Sequence, residues 1–198
     1  MAIKRASTST ALNGFPKYPS MWDQSTYAAT FDCIGTVVLS STQSSIIFAG
    51  IPQTYTNLQL RCLTQQNTSQ GIRITFNGVT ASSYNYHYMY TDPNASTMNS
   101  NNSTAASYAS VLTTVNTAAS TDTYSYSPLI VDIPDYTSPN KYKVLKYMGG
   151  TDTNGGGNRG VEWGGASLMN NAAITTITIT TGGTSFSSAS RFDLYGLK

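Results

Sequence analysis

The sequence predicts an all-β fold: a two-sheet antiparallel β-sandwich, jelly-roll-like, of about ten strands, with an extended N-terminal arm. Short apolar runs that alternate with a period of two recur along residues 31–198, separated by Gly, Pro, Asn and Asp turn signals; this is typical of a sandwich or barrel. Only 10% of residues are charged, and Ser, Thr and Asn, which fill the gap, favour strands and turns over helices. No stretch has a convincing amphipathic helical period.

Size, charge and hydropathy limit the functions that fit. The 198-residue chain suits one β-domain over residues 31–198, preceded by an arm over residues 1–30. The net charge is +2 and the basic residues are scattered, so we expect no binding of nucleic acid. No apolar segment approaches the ~18 residues of a membrane span, and the N-terminus lacks the apolar region of a signal peptide. We therefore expect a protein made in the cytoplasm, without a membrane partner.

Residues 1–30 have neither a helical nor a strand period and are rich in Ser, Thr and Pro. Spaced aromatic residues distinguish this arm from an ordinary disordered tail; they are Phe15, Tyr18, Trp22 and Tyr27. The arm either folds back over its own domain or lies on a neighbouring subunit, and in the second case these four residues are its assembly contacts.

The first half of the domain contains a strand at 31–39 and then a tight corner at 44–64, SSIIFAGIPQTYTNLQLRCLT. Pro52 has no N–H for a ladder, so the first apolar run of the corner ends there. In the second run Leu58 and Leu60 alternate with polar residues, as in a half-buried strand. We expect this corner to seat the first sheet. The alternation along the whole domain predicts a core of Ile46, Phe48, Leu58, Leu60, Ile72, Ile74, Phe76, Leu129, Val131, Ile177 and Ile179.

A tyrosine-rich strand follows the turn signal Asn77-Gly78, where both residues tolerate positive φ. Residues 84–90 read YNYHYMY, and the alternation places four side chains on one face: Tyr84, Tyr86, Tyr88 and Tyr90. This stripe is either one wall of the core or a binding face for a protein subunit or a sugar ring.

The second half of the domain opens with residues 91–123, which are low in complexity. Apart from a short strand or helical turn beginning at Val111, we expect a long polar loop there. Residues 149–165 are glycine-rich and include Trp163. Within them the run GGTDTNGGGNRG, residues 149–160, lacks the Gly-Lys-Ser/Thr ending of a phosphate loop and lies between two expected strands, so it predicts a flexible hairpin tip. The later strands are expected at 129–133, 142–148, 176–180 and 191–197.

Patterns of catalytic and metal-binding residues are missing. The one histidine, His87, lies in the tyrosine-rich strand, and no G-x-S-x-G nucleophile elbow accompanies it. One histidine and two separated cysteines cannot close a zinc site without carboxylates, and we expect Cys33 and Cys62 to be buried free thiols. No pair of carboxylates marks a glycosidase. We therefore expect a protein that is not an enzyme and has no catalytic residue, metal or cofactor.

Several segments together resemble small structural proteins of tailed-bacteriophage virions. They are SIIFAGIPQTYTNLQLRCL, IRITFNGVTASSYNYHYMY, VDIPDYTSPNKYKVLKYMGG, GGASLMNNAAITTITITT and SFSSASRFDLYGLK. The most specific motifs are the I-P-Q-T-Y-T corner and the R-F-D-L-Y-G ending. The resemblance spans residues 31–198 in the same order and leaves out the arm and much of residues 91–123.

This resemblance implies a β-sandwich on the outside of a phage particle, as a capsid decoration or as a fibre-like or tail-associated subunit. It implies the virion as location, with other virion proteins and copies of the chain itself as partners, and it carries no catalytic residue. The second hypothesis is a module that binds a carbohydrate or receptor on the host surface; the two hypotheses overlap if the protein forms the tip of a fibre.

Overall fold

The computed structural model describes residues 31–68, 70–91, 97–113, 125–152 and 159–198. Within these ranges every regular element is a β-strand, so the all-β prediction is confirmed. The strands are β1 (Phe31–Val38), β2 (Ser45–Ala49), β3 (Asn57–Thr64), β4 (Ile72–Phe76), β5 (Tyr84–Thr91), β6 (Met98–Ala106), β7 (Ala109–Val111), β8 (Ser127–Pro134), β9 (Lys143–Asp152), β10 (Arg159–Leu168), β11 (Thr176–Thr181) and β12 (Arg191–Leu197).

The strands form two antiparallel sheets. The eight-stranded sheet has the order β1-β12-β3-β8-β9-β10-β5-β6, and the four-stranded sheet has the order β2-β11-β4-β7. If the hairpins β5–β6 and β9–β10 are set aside, β1-β12-β3-β8 lies against β2-β11-β4-β7, and the chain changes sheet after every strand except β4, which is followed by β7 in the same sheet. This order is that of an eight-stranded jelly roll, which confirms the predicted jelly-roll-like sandwich. The two extra hairpins extend the larger sheet.

The core lies between the two sheets and follows the alternation in the sequence. In β3, Leu58 and Leu60 are fully buried, and their ladder partners on β8, Ile133 and Val131, are fully buried too. All eleven residues of the predicted core are buried, and they belong to one continuous cluster of apolar side chains. The register drawn from the sequence is therefore correct for these strands.

The corner at 44–64 connects the two sheets and does not seat one of them. Its first strand, β2, belongs to the four-stranded sheet, whereas β3 belongs to the eight-stranded sheet. Gly50 takes a φ of 65° at this turn, in the left-handed region that favours glycine. Tyr55 packs against the core and so close to Gly196 that a Cβ on Gly196 would lie 2.4 Å from its ring. The alternation identified both strands, but it does not say which sheet a strand joins.

The turn predicted at Asn77-Gly78 is confirmed, because the two residues have φ values of 52° and 69°. The turn connects β4 to β5 across the sandwich, since these strands lie in different sheets. The Asn77 side chain stabilises this turn, because its Oδ1 accepts hydrogen bonds from the backbone N–H groups of Thr175 (2.9 Å) and Thr176 (3.1 Å).

The long polar loop expected at 91–123 is wrong for most of the part that the structure describes. Residues 98–106 form β6 at the edge of the large sheet, and residues 109–111 form β7 at the edge of the small one. The sequence of β6, MNSNNSTAA, has no apolar alternation, because both of its faces are at least partly exposed to solvent. Residues 92–96 and 114–123 lie outside the described ranges.

The glycine-rich run 149–160, predicted as a hairpin tip, does connect two paired strands, but both strands extend further into it than the sequence indicates. β9 and β10 pair from Lys143–Leu168 to Asp152–Arg159, and only residues 153–158 between them lie outside the described ranges. Gly164 shows why glycine is needed within β10: a Cβ there would lie 2.4 Å from the carbonyl oxygen of His87. The glycines in these strands thus permit close approach of neighbouring chains.

The prediction that both cysteines are buried is correct for Cys62 and wrong for Cys33. The ladder between β1 and β12 shifts by one residue between Cys33 and Gly35. This bulge reverses the alternation, so Phe31 and Cys33 are exposed while Ile34 and Val37 pack against the core. An extra residue of this kind has no signature in the pattern FDCIGTVV.

The two thiols should therefore react very differently. We expect a maleimide to label one thiol per native chain, at Cys33, and the second only after denaturation. Burial raises the pKa of the Cys62 thiol, and the thiolate is the reactive form. Intact-mass spectrometry measures the labelling, and a Cys33→Ser variant serves as the control that stays unlabelled when native. Rapid native labelling of that variant would contradict the placement of Cys62.

Candidate functional site

The solvent side of the eight-stranded sheet, here called the outer face, carries a continuous row of apolar side chains. Trp163 on β10 pairs with Met89 on β5 and with Met148 on β9, and Met148 pairs with Ile130 on β8. Because residues paired across a ladder point to the same side of a sheet, these four form one apolar row. Their exposed fractions are 39% for Trp163, 42% for Met89, 58% for Met148 and 40% for Ile130. A contiguous exposed row of this kind marks an interaction surface.

More exposed apolar residues lie on the same face, next to the apolar row. Val161 is two residues from Trp163 on β10, and Leu63 is two residues from Arg61 on β3; both are nearly half exposed. Met98 extends the patch to the edge strand β6, where it pairs with Thr91. The apolar surface therefore spans six strands, from β3 to β6, with β8, β9, β10 and β5 between them.

Trp163 stands between two shallow grooves of about 320 Å³ each. The groove toward β5 and β6 is lined by His87, Met89, Ser100, Asn101 and Asn102. The groove toward β8 and β9 is lined by Ile130, Asp132, Lys146 and Met148. The exposed indole thus has polar groups within reach on both sides.

A polar row runs beside the apolar row, two residues away along each strand. It comprises His87, Gly165, Lys146, Asp132 and Gln59, which follow one another in register. Asp132 is its centre: its Oδ1 accepts a hydrogen bond from Gln59 Nε2 at 2.7 Å, and its Oδ2 lies 3.6 Å from Lys146 Nζ. An exposed ion pair contributes little to stability, so this arrangement mainly neutralises charge on the face.

The charges at the β1–β3 end of the face also have partners within the chain. The Arg61 guanidinium lies 5.1 Å from the ring centroids of both Phe31 and Tyr195. Asp193 accepts a hydrogen bond from Arg191 Nε at 2.7 Å, and this bond holds the pKa of the Asp193 carboxyl below its ordinary value. The outer face therefore offers fixed polar and charged groups, both of whose carboxylates are paired, around an apolar centre.

The residues with acid–base or metal-binding capacity are not gathered into a site. His87 is exposed in the polar row, whereas the only glutamate of the chain, Glu162, is buried on the opposite side of the sheet. Glu162 accepts hydrogen bonds from Tyr147 Oη (2.6 Å) and from the backbone N–H of Thr113 (2.9 Å). Burial, followed by the nearby Glu162 carboxylate, raises the pKa of Tyr147. Among the described residues, no group of three or more His, Cys, Asp or Glu is placed to hold a metal ion.

The tyrosine stripe faces the interior side of the large sheet, away from the outer face. Tyr84 is fully buried; its hydroxyl accepts a hydrogen bond from Phe76 N–H (2.9 Å) and donates one to Val79 O (3.2 Å). Tyr84 is thus a core residue, in agreement with the first of the two alternatives for the stripe, and its placement in a binding face is wrong. Tyr86, Tyr88 and Tyr90 are half-buried, with neighbouring ring centroids 6.2 and 5.8 Å apart, and their role as a binding face stays a prediction.

The other predicted site residues lie in the arm. Phe15, Tyr18, Trp22 and Tyr27 are outside the described residues, and their role in assembly also stays a prediction.

Sequence reasoning missed the outer face because it left Trp163 within the glycine-rich stretch 149–165 and assigned no strand there. One signal was present: Val161 and Trp163 alternate with Gly160, Glu162 and Gly164, as in a strand with one exposed face. The glycines hid this pattern because glycine ordinarily weakens a strand. The alignment of Trp163 with Met89, Met148 and Ile130 depends on which strands are neighbours, and the pattern of residues does not indicate the order of the strands.

Comparisons with protein-family models, with curated proteins and with solved structures found no match for this chain. In the part of the chain that the structure describes, no helix is long and apolar enough to cross a membrane.

Proposed function

We propose that this chain is a non-enzymatic structural protein of a tailed-phage virion. It assembles on the outside of the particle, as a capsid decoration or as a fibre-like or tail-associated subunit. The observation that carries the proposal is the outer face, where Trp163, Met89, Met148 and Ile130 form an exposed apolar row. Exposed apolar patches of this extent with a polar surround are typical of protein–protein interfaces, in which Trp and Met are enriched.

Two further observations support an assembly role. The sequence resembles virion structural proteins over residues 31–198, and the fold is a jelly roll, an architecture that viral capsid and lectin domains use. Fold alone does not assign function, so the exposed apolar row is the main support for the proposal. Because both of its carboxylates, Asp132 and Asp193, are already paired within the chain, the outer face is suited to a partner that is itself largely apolar.

The experiment that tests this proposal locates the protein on purified particles of the phage that encodes it. Antibodies against the β-domain, detected by immunogold electron microscopy, should decorate intact particles at regular positions. Quantitative mass spectrometry of the same particles should find a fixed number of copies per particle. Absence of the chain from particles that are complete in their other proteins would overturn the proposal.

The second candidate function is carbohydrate or receptor binding, and the two grooves beside Trp163 favour it. An exposed indole can stack on the apolar face of a sugar ring, while Asp132, Lys146, His87 and Asn102 can hydrogen-bond the hydroxyl groups around it. A glycan array probed with the parent protein and with a Trp163→Ala variant tests this reading. It predicts a binding signal that the variant loses.

A further inference from the structure

We propose that the outer face of the large sheet binds the same face of a second copy of this chain, so that two subunits stack sheet against sheet. The inference rests on the proposed assembly function and deepens it, because it names the surface and the partner. It is carried by the size of the apolar surface, by the internal pairing of its charges and by the position of the apolar row.

The size of the surface fits a dimer interface. Six strands spaced about 4.8 Å apart and eight residues long give a face of roughly 750 Å². A stable protein–protein interface buries about 800 Å² on each partner. A small ligand would occupy one groove beside Trp163 and would leave Leu63, Val161 and Met98 uncovered.

The charges of the surface indicate a partner without strong net charge. Asp132 is paired with Lys146, and Asp193 with Arg191. The apolar row between these pairs contains no charged residue. A second copy of the same face satisfies this requirement, because its apolar row is uncharged and its two carboxylates are paired in the same way.

A two-fold axis brings the apolar rows of the two copies into contact with each other. In an isologous dimer the axis passes through the interface and relates identical surfaces. An axis parallel to the strands and midway between β9 and β10 sets Trp163 opposite the partner's Met148, and Met89 opposite the partner's Ile130. A thioether next to an aromatic ring is a favourable contact. Each large side chain of the row thus meets a different apolar side chain of the partner.

An exposed apolar residue on the solvent side of the smaller sheet serves for comparison with the apolar row. Ile47 is 58% exposed there, but its ladder neighbour on β11 is Thr178, which in turn pairs with Thr75 on β4. Within its own sheet Ile47 is flanked by threonines, and with Val38, which is 57% exposed and lines the same shallow groove, it makes only a small apolar patch that needs no partner. It provides the matched control for variants in the apolar row.

Sedimentation equilibrium of the full chain tests the interface. We expect a concentration-dependent dimer that Trp163→Glu weakens by ~30-fold or more, as a central aromatic residue of an interface does. Met148→Lys should have the same effect and serves if Trp163→Glu fails to fold, as judged by its thermal transition. Ile47→Glu should dimerise like the parent. A parent chain that is monomeric throughout, or folded variants of the apolar row that dimerise normally, would overturn the inference.

Cross-linking tests the position of the axis. Met89→Cys and Ile130→Cys are made separately in a Cys33→Ser background and treated with a bifunctional maleimide that spans ~10 Å, the distance between stacked sheets. Cross-linked dimers should form when the two variants are mixed and much less when either is treated alone, because Met89 lies opposite Ile130. Equal yields in all three samples, or no product in the mixture, would contradict this geometry.

The two proposals fail separately. Loss of the dimer in solution overturns this inference, whereas imaging still decides whether the chain belongs to the particle. A folded dimer that is absent from purified particles overturns the proposed function and leaves the interface intact. Glycan binding at Trp163 by a chain that stays monomeric would assign the face to a sugar and overturn the dimer.

Discussion

Replacing Leu60 with alanine is expected to lower the free energy of unfolding by about 2–5 kcal/mol, the range for a leucine truncated in a packed core. Leu60 is fully buried on β3, and its two ladder partners, Val131 on β8 and Leu194 on β12, are fully buried as well. The cavity would open beneath β3, which has a neighbouring strand on each side, and these strands limit relaxation. Urea unfolding followed by tryptophan fluorescence or circular dichroism measures the change.

The matched control is Leu63→Ala, the same substitution three residues further along β3. Leu63 lies on the outer face and is 45% exposed, so its truncation should cost less than ~1 kcal/mol. If the Leu60 variant unfolds at the same urea concentration as the parent, the assignment of the inner face of β3 is wrong. Because Leu63 belongs to the proposed interface, the comparison is made at concentrations where the chain is monomeric.

The sequence predicted well those strands that bury one face. In β4 the buried residues Ile72, Ile74 and Phe76 alternate with Arg73 and Thr75, which are only half-buried, and this contrast is readable from residue types. The same is true of β11, where buried isoleucines alternate with threonines. Burial of an apolar side chain is the largest single contribution to strand placement, so its periodicity survives in the sequence.

The sequence predicted poorly whatever depends on strand neighbours. β6 has no apolar period, since it is an edge strand whose pairing with β5 rests on backbone hydrogen bonds. The bulge in β1 turns the Cys33 side chain to the exposed face, and no residue type in the strand marks the position of the bulge. The outer face unites residues from β5, β8, β9 and β10, and its apolar row exists only because β9–β10 is inserted between β8 and β5. Sequence reasoning missed the outer face for this reason and not for lack of an exposed tryptophan.

Lys143 also illustrates this limit, because its role depends on two loops that the fold brings together. The residue begins β9 and is 1% exposed, although a lysine at a strand start is ordinarily solvated. Its Nζ donates hydrogen bonds to the backbone carbonyls of Ser138, Lys141 (3.1 Å) and Asn171 (3.1 Å). It thereby joins the loop before β9 to the loop after β10.

Lys143→Met is expected to destabilise the protein by about 3–5 kcal/mol, because methionine fills the space of the stem but leaves three carbonyls without their donor. Burial lowers the pKa of Lys143, so in the pH interval just below the ordinary lysine pKa the folded chain binds fewer protons than the unfolded chain. Parent stability should therefore gain a favourable contribution as pH rises through that interval, and the variant should lack it.

Lys146→Met is the control: it lies on the same strand with 74% of its side chain exposed and should change stability by less than ~1 kcal/mol. Thermal unfolding of the three proteins between neutral and alkaline pH measures both effects, and equal stability of the Lys143 variant and the parent would show that the two loops are held together by other contacts.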